Sequence, residues 1–157
     1  MESYVISLKE VLWGVLLLGL TMAIHGMGML LTLRVTNWLK DHTKPPRPLS
    51  IGLGIVILAS WIIIITSLVE VVVWAQFFIF LGAQPTSSVA IYHALVNYTT
   101  LDSGYLPQEW RLLEGLLAMA GLMTLAWSTG VLYTLVEDFQ RTHVPVRRKL
   151  ENTIKDE

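Results

Sequence analysis

Apolar and polar positions in this chain fall into long blocks rather than into a strand-like alternation. Val11 to Leu33 is an apolar run of about 23 residues, enough to cross a hydrocarbon core of about 30 Å. His25 is its one ionisable group. Ile51 to Leu81 is a second run of about 31 residues, about ten more than a perpendicular span requires, which predicts a helix that tilts or protrudes. Its single acid is Glu70. Leu112 to Val136 is the third span. Between the second and third lies Thr86 to Pro107, too short and too polar to cross a bilayer. Thr86, Ser87 and Ser88 are suited to cap a helix start. Val89 to Tyr98 reads as a short helix, Thr99 to Gly104 as a turn that leaves it, and Pro107 as a fixed exit. At membrane depth such a helix and loop is tolerated only where protein or a water-filled cavity covers the backbone. The pattern predicts an all-α integral membrane fold: three transmembrane helices plus a re-entrant helix and loop.

Composition sharpens this picture. The chain is 54% hydrophobic and only 15% charged, against about 25% charged in soluble domains. It has no cysteine, so thiolate and disulfide chemistry are excluded. The net charge of −1 gives no basic balance for a nucleic-acid partner. The N-terminus lacks a basic n-region, and its apolar run exceeds a signal-peptide core of about 7–15 residues, so it reads as a first transmembrane helix. Basic residues concentrate in the linker Arg34 to Ser50, where Pro45, Pro46 and Pro48 bar a helix, and in the tail at Arg141, Arg147, Arg148 and Lys149. By the positive-inside rule both flanks are cytoplasmic. The expectation is a multi-pass protein of the cell membrane with its N-terminus outside and its C-terminus inside. Three parts follow: residues 1–50 as a peripheral transmembrane helix and basic linker, 51–140 as the central module, and 141–157 as a charged cytoplasmic tail that begins helical and frays. Gly14, Gly19, Gly26 and Gly28 are expected to admit a neighbouring helix.

The segment around Thr99 resembles the pore loop of the potassium-channel superfamily, whose filter reads T-T-V/L-G-Y-G-D after a short pore helix. Thr99, Thr100, Leu101 and Gly104 match that pattern; Asp102, Ser103 and Tyr105 depart from it. The likeness continues through Trp110-Arg111-Leu112-Leu113, Gly121 and Trp127-Ser128-Thr129, a W-S-T motif of small bacterial members, and covers roughly residues 68–140. It implies a homotetrameric pore-loop channel whose four copies surround one axis, with the outer helix at 51–81, the inner helix at 112–136, an ion filter at Thr99, Thr100, Leu101, Asp102, Ser103 and Gly104, and a gating hinge at Gly121. Close packing accounts for that glycine equally well. Thr100-Leu101-Asp102-Ser103 also resembles the T-L-E-S and T-L-D-D filters of bacterial sodium channels and engineered calcium-selective channels. In those a carboxylate ring selects partly hydrated cations.

Asp102 has two readings: a carboxylate ring on the ion path that holds the permeant cation, or a residue that caps the loop. A ring of four carboxylates titrates as a coupled set and suits sodium, calcium or magnesium better than potassium. His25 and Glu70 lie at matched depth, so they are expected to pair between the first two helices, either as a static link or with His25 as a pH sensor. On that expectation Glu70→Gln loosens the first helix before it alters ion selectivity. His93, Tyr92 and Tyr98 are expected to pack behind the filter, and the Asn97-Tyr98-Thr99 sequon to be fortuitous. The histidines have no ligand-like spacing, and no nucleophile elbow, phosphate loop or metalloprotease motif is present, which points away from an enzyme. The sequence reading is therefore a passive cation channel, weakly potassium-selective or permeable to sodium or divalent ions. Its rivals are a potassium-selective channel with an unusual filter and a non-conducting channel-like scaffold or sensor subunit. The expected partners are its own copies and membrane lipids, with no cofactor besides permeant Na, K, Ca or Mg ions.

Overall fold

The computed structural model describes residues 7–43, 49–101, 104 and 106–155, with side chains described as far as Arg141. Four helices account for almost all of it: α1 Leu8–His42, α2 Leu49–Phe80, α3 Ser87–Tyr98 and α4 Leu112–Lys155, with one 3₁₀ turn at Gln108–Trp110. No strand occurs among the described residues. Three helical stretches, Leu8–His42, Leu49–Phe80 and Gln108–Arg141, are long and apolar enough to cross a membrane.

α1 and α2 pack antiparallel. Thr21 meets Trp74, four residues further on His25 meets Glu70, and then Gly28 meets Thr66. At Gly28 a Cβ would lie 2.4 Å from the Thr66 hydroxyl oxygen, so a side chain there would push the pair apart. α1 and α4 run parallel. Glu10 accepts from Leu112 N, Ser128 meets His25, and Lys40 bridges to Asp138, at separations of 102, 103 and 98 residues. One end of the bundle therefore gathers the starts of α1 and α4 and the end of α2. The other gathers the ends of α1 and α4 and the start of α2.

The core sits where all four helices meet. Trp74, Ala75 and Phe78 of α2, Ala90 and Ala94 of α3, and Leu113, Leu117 and Ala120 of α4 are buried there beside Leu17 of α1. The alanines let α3 approach its neighbours closely, which burial of larger side chains at those positions would prevent. α1 shares this core through Leu17.

Several boundaries differ from those expected. The polar linker expected from Arg34 begins only at Thr43, because α1 continues as a helix past its apolar run. Thr36 stays buried by bonding back to the Thr32 carbonyl at 2.8 Å, and the Thr43 hydroxyl donates to Leu39 O. The Lys40–Asp138 bridge at 3.0 Å ties this extension to α4. The proline-rich residues 44–48 lie outside the described residues. α4 runs on without a break to Lys155, well beyond the expected end of its span. Of the four α1 glycines, Gly14, Gly26 and Gly28 meet neighbouring helices, whereas Gly19 has nothing within 4 Å.

Candidate functional site

α3 starts at Thr86, whose hydroxyl accepts from Val89 N at 3.4 Å. It ends in a tight cap: Leu101 N donates to Val96 O at 3.0 Å and Thr100 N to Asn97 O at 2.9 Å. This pairing places the residue after the cap in the left-handed region, where glycine is usual. Here that residue is Thr100, at φ 64°. A β-branched residue there is costly, by about 1–2 kcal/mol. Thr99 donates its hydroxyl back to the carbonyls of Leu95 and Val96, both at 3.0 Å.

The end of α3 is fixed by three neighbours. The Tyr98 hydroxyl donates to Glu70 Oε2 at 2.6 Å and lies 2.6 Å from the Thr124 hydroxyl. The Tyr98 carbonyl faces Gly121, where a Cβ would stand only 1.9 Å from the carbonyl oxygen. Gly121 lies in unbroken helix with its Cα against the end of α3. Thr124 is 1% exposed, and its hydroxyl also reaches Gly121 O at 3.0 Å.

Glu70 joins this contact to α1. Its Oε1 lies 2.9 Å from His25 Nδ1, and both side chains are fully buried. The Ser128 hydroxyl lies 3.1 Å from His25 Nε2. A ring with its proton on Nδ1 satisfies every member: Nδ1–H donates to Glu70, and Nε2 accepts from Ser128. Trp127 tilts against the imidazole with ring centroids 5.7 Å apart. Beside this chain, Trp74 Nε1 donates to the Thr21 hydroxyl at 2.8 Å. Buried polar groups in an apolar bundle must find partners within it, and here one connected network joins all four helices.

A second buried acid stands at the other end of the loop. Glu114, in the first turn of α4, accepts from Leu106 N at 2.9 Å through Oε1, and the same oxygen lies 3.0 Å from His93 Nε2. Asn97 donates from Nδ2 to the His93 backbone carbonyl at 2.9 Å, and Phe78 presents a ring edge to His93. Asn97 is 2% exposed, so its sequon is inaccessible to a glycosyl group.

Of the residues singled out from sequence, the structure brings together His25 and Glu70, and places Tyr98 and Gly121 against each other and against the same network. His93 and Tyr98 lie on the buried side of α3. Tyr92 does not: it is 65% exposed, on the opposite side of the helix. Thr99, Thr100, Leu101 and Gly104 lie exposed in the loop. Asp102 and Ser103, on which the filter expectation turned, lie outside the described residues, as does Tyr105. Thr124, Ser128, Thr21 and Glu114 were not legible as partners from the sequence. The signal for the first two was their spacing of four residues on one face of α4, opposite the two buried ionisable groups. Among the described residues no group of three His, Asp or Glu side chains is arranged to hold a metal ion. Comparison with known proteins finds no match: no family model, no curated protein and no solved structure is similar to this chain.

Proposed function

We propose that this chain is the pore-forming subunit of a homotetrameric cation channel, with the ion path at Thr99–Gly104 and the Asp102 carboxylate of each copy facing that path. The observation that carries this reading is the depth at which α3 ends. Tyr98 packs on Gly121, nine positions into α4, or roughly 14 Å at the helical rise. On α2 it bonds Glu70, ten positions from Phe80, or roughly 15 Å. A short helix that descends about half a span between two long apolar helices, and whose chain then returns to Trp110 at the same end, supports the re-entrant reading. Its dipole turns the negative end towards Thr99 and favours a cation there.

One such loop encloses nothing by itself, so the reading requires several copies about an axis. The exposed Tyr92 and Leu95 of α3 and the exposed Thr99 to Leu101 are the surfaces that neighbouring copies would cover. The filter sequence with its acid at position 102 supports a path for small or divalent cations: up to four carboxylates in a poorly screened space raise the Coulomb terms well above those in water. The parallel α1 and α4 put Lys40 and Arg141 at one end of the bundle, and the basic linker and tail follow them in the sequence, which agrees with a cytoplasmic C-terminus and an outer pore loop.

Reconstitution into liposomes tests the proposal. The expected result is a tetramer that passes cations, with a reversal potential in mixed sodium, potassium and calcium that shifts sharply in Asp102→Asn while assembly is unchanged. Asp102→Gly combined with Ser103→Tyr is expected to move preference towards potassium. An intact tetramer that passes no cation, or an Asp102→Asn variant that conducts with unaltered selectivity, would overturn it.

A further inference from the structure

We infer that Glu114 is a positioning residue that holds the outer end of the Thr99–Gly104 loop through the backbone amide of Leu106, and that it tunes ion preference without touching an ion. The inference rests on the channel reading for its functional half and on the contacts alone for its structural half.

The loop between Tyr98 and Leu106 is short, and both its ends are held. At the inner end Tyr98 is fixed by Glu70, Thr124 and Gly121. At the outer end Leu106 is 7% exposed, and its N–H donates to Glu114 Oε1 at 2.9 Å. Glu114 is itself 7% exposed, and His93 Nε2 lies 3.0 Å from its Oε1, with Asn97 Nδ2 at 3.0 Å from the same ring nitrogen. His93 belongs to α3, Leu106 to the loop exit and Glu114 to the first turn of α4, so one carboxylate ties three segments together. The N-terminal end of α4 favours its negative charge. A buried N–H that loses its acceptor carries the full cost of desolvation, so removing the carboxylate releases the loop exit rather than leaving it in place. The two ends share a construction: each is held by a buried acid that also contacts a histidine, Glu70 with His25 and Glu114 with His93. Tyr98, where the chain leaves α3, and Leu106, where it rejoins the bundle, are thus each anchored on a buried acid, and removing Glu114 frees the second anchor.

Hydrogen exchange of the peptide spanning 99–111, read on the full-length protein in liposomes, tests the hold directly. Glu114→Ala is expected to speed exchange at Leu106 by about tenfold or more. Glu114→Gln keeps an oxygen acceptor and is expected to restore protection. An amide-to-ester replacement at Leu106 deletes the N–H alone and leaves Glu114 in place. It is expected to reproduce the shifted reversal potential of Glu114→Ala with the tetramer intact, and it serves as the second variant if Glu114→Ala does not fold. Unchanged exchange in Glu114→Ala, or an ester variant with the selectivity of the parent protein, would overturn the inference. If the parent protein conducts nothing, the channel reading fails, and with it the functional half. The exchange pattern then still decides whether Glu114 holds the loop.

Discussion

Glu70 accepts on both sides at once, from His25 on α1 and from Tyr98 at the end of α3. This changes what its replacement does. On sequence grounds Glu70→Gln acts first on the packing of α1. The contact with Tyr98 means that the same substitution also disturbs the inner end of the loop. A glutamine has one carbonyl oxygen for two donors, so one of them loses its acceptor, at about 1–3 kcal/mol. The expected outcome is a lower melting temperature together with altered cation selectivity, read by thermal unfolding in detergent and by reversal potential. Tyr98→Phe separates the two effects. It removes the donor at the loop and leaves His25 Nδ1 against Glu70 Oε1, so on the channel proposal selectivity shifts more than the packing of α1 does. The His25–Glu70 pair was legible from matched depth in two apolar runs, since an ionisable group in such a run demands a partner. Tyr98, Thr124 and Ser128 were not legible as its companions. Hydroxyl groups are common in membrane helices, and nothing local tells one bonded across helices from one bonded back to its own turn, as Thr129 is to Leu125.

At the scale of the helices, two backbone positions decide how α3 is seated. A Cβ at Gly121 would collide with the Tyr98 carbonyl, so Gly121→Ala must push the end of α3 off α4. Overpacking of this kind costs about 1–3 kcal/mol. The matched control is Gly19→Ala, where nothing lies within 4 Å and helix propensity favours alanine by about 1 kcal/mol. Thermal unfolding of the two variants should therefore move in opposite directions. Thr100→Gly is expected to raise stability by about 1–2 kcal/mol, because glycine takes the left-handed conformation at little cost. Strain of this sort gathers at functional sites, so on the channel proposal the same variant is expected to conduct with altered selectivity in spite of its higher melting temperature. Each helix was legible from its apolar run, but the ends were not. Hydropathy stops at Leu33, whereas α1 continues to His42 because its backbone bonds, the Thr43 contact with Leu39 and the Lys40 bridge do not depend on apolar side chains.

Across the whole molecule, the parallel setting of α1 and α4 fixes which termini and which charges share a side. Cysteines placed at Thr43 and at Ser87 are expected to label from opposite faces of the membrane, Thr43 from the cytoplasmic side; outer labelling of Thr43 would reverse the orientation. The arrangement has a further consequence for biosynthesis. α1 and α2 are neighbours in both sequence and space, so a hairpin of these two helices alone suffices to make the His25–Glu70 and Trp74–Thr21 contacts. Tyr98, Thr124 and Ser128 are made later, and α4 must then slot in beside α1, about a hundred residues away in the chain. Until it does, Glu70 holds one of its two donors and His25 lacks the Ser128 hydroxyl, both within the bilayer. A chain cut off after Phe80 would therefore hold a half-satisfied carboxylate between apolar helices, the species on which shelter during insertion would matter most.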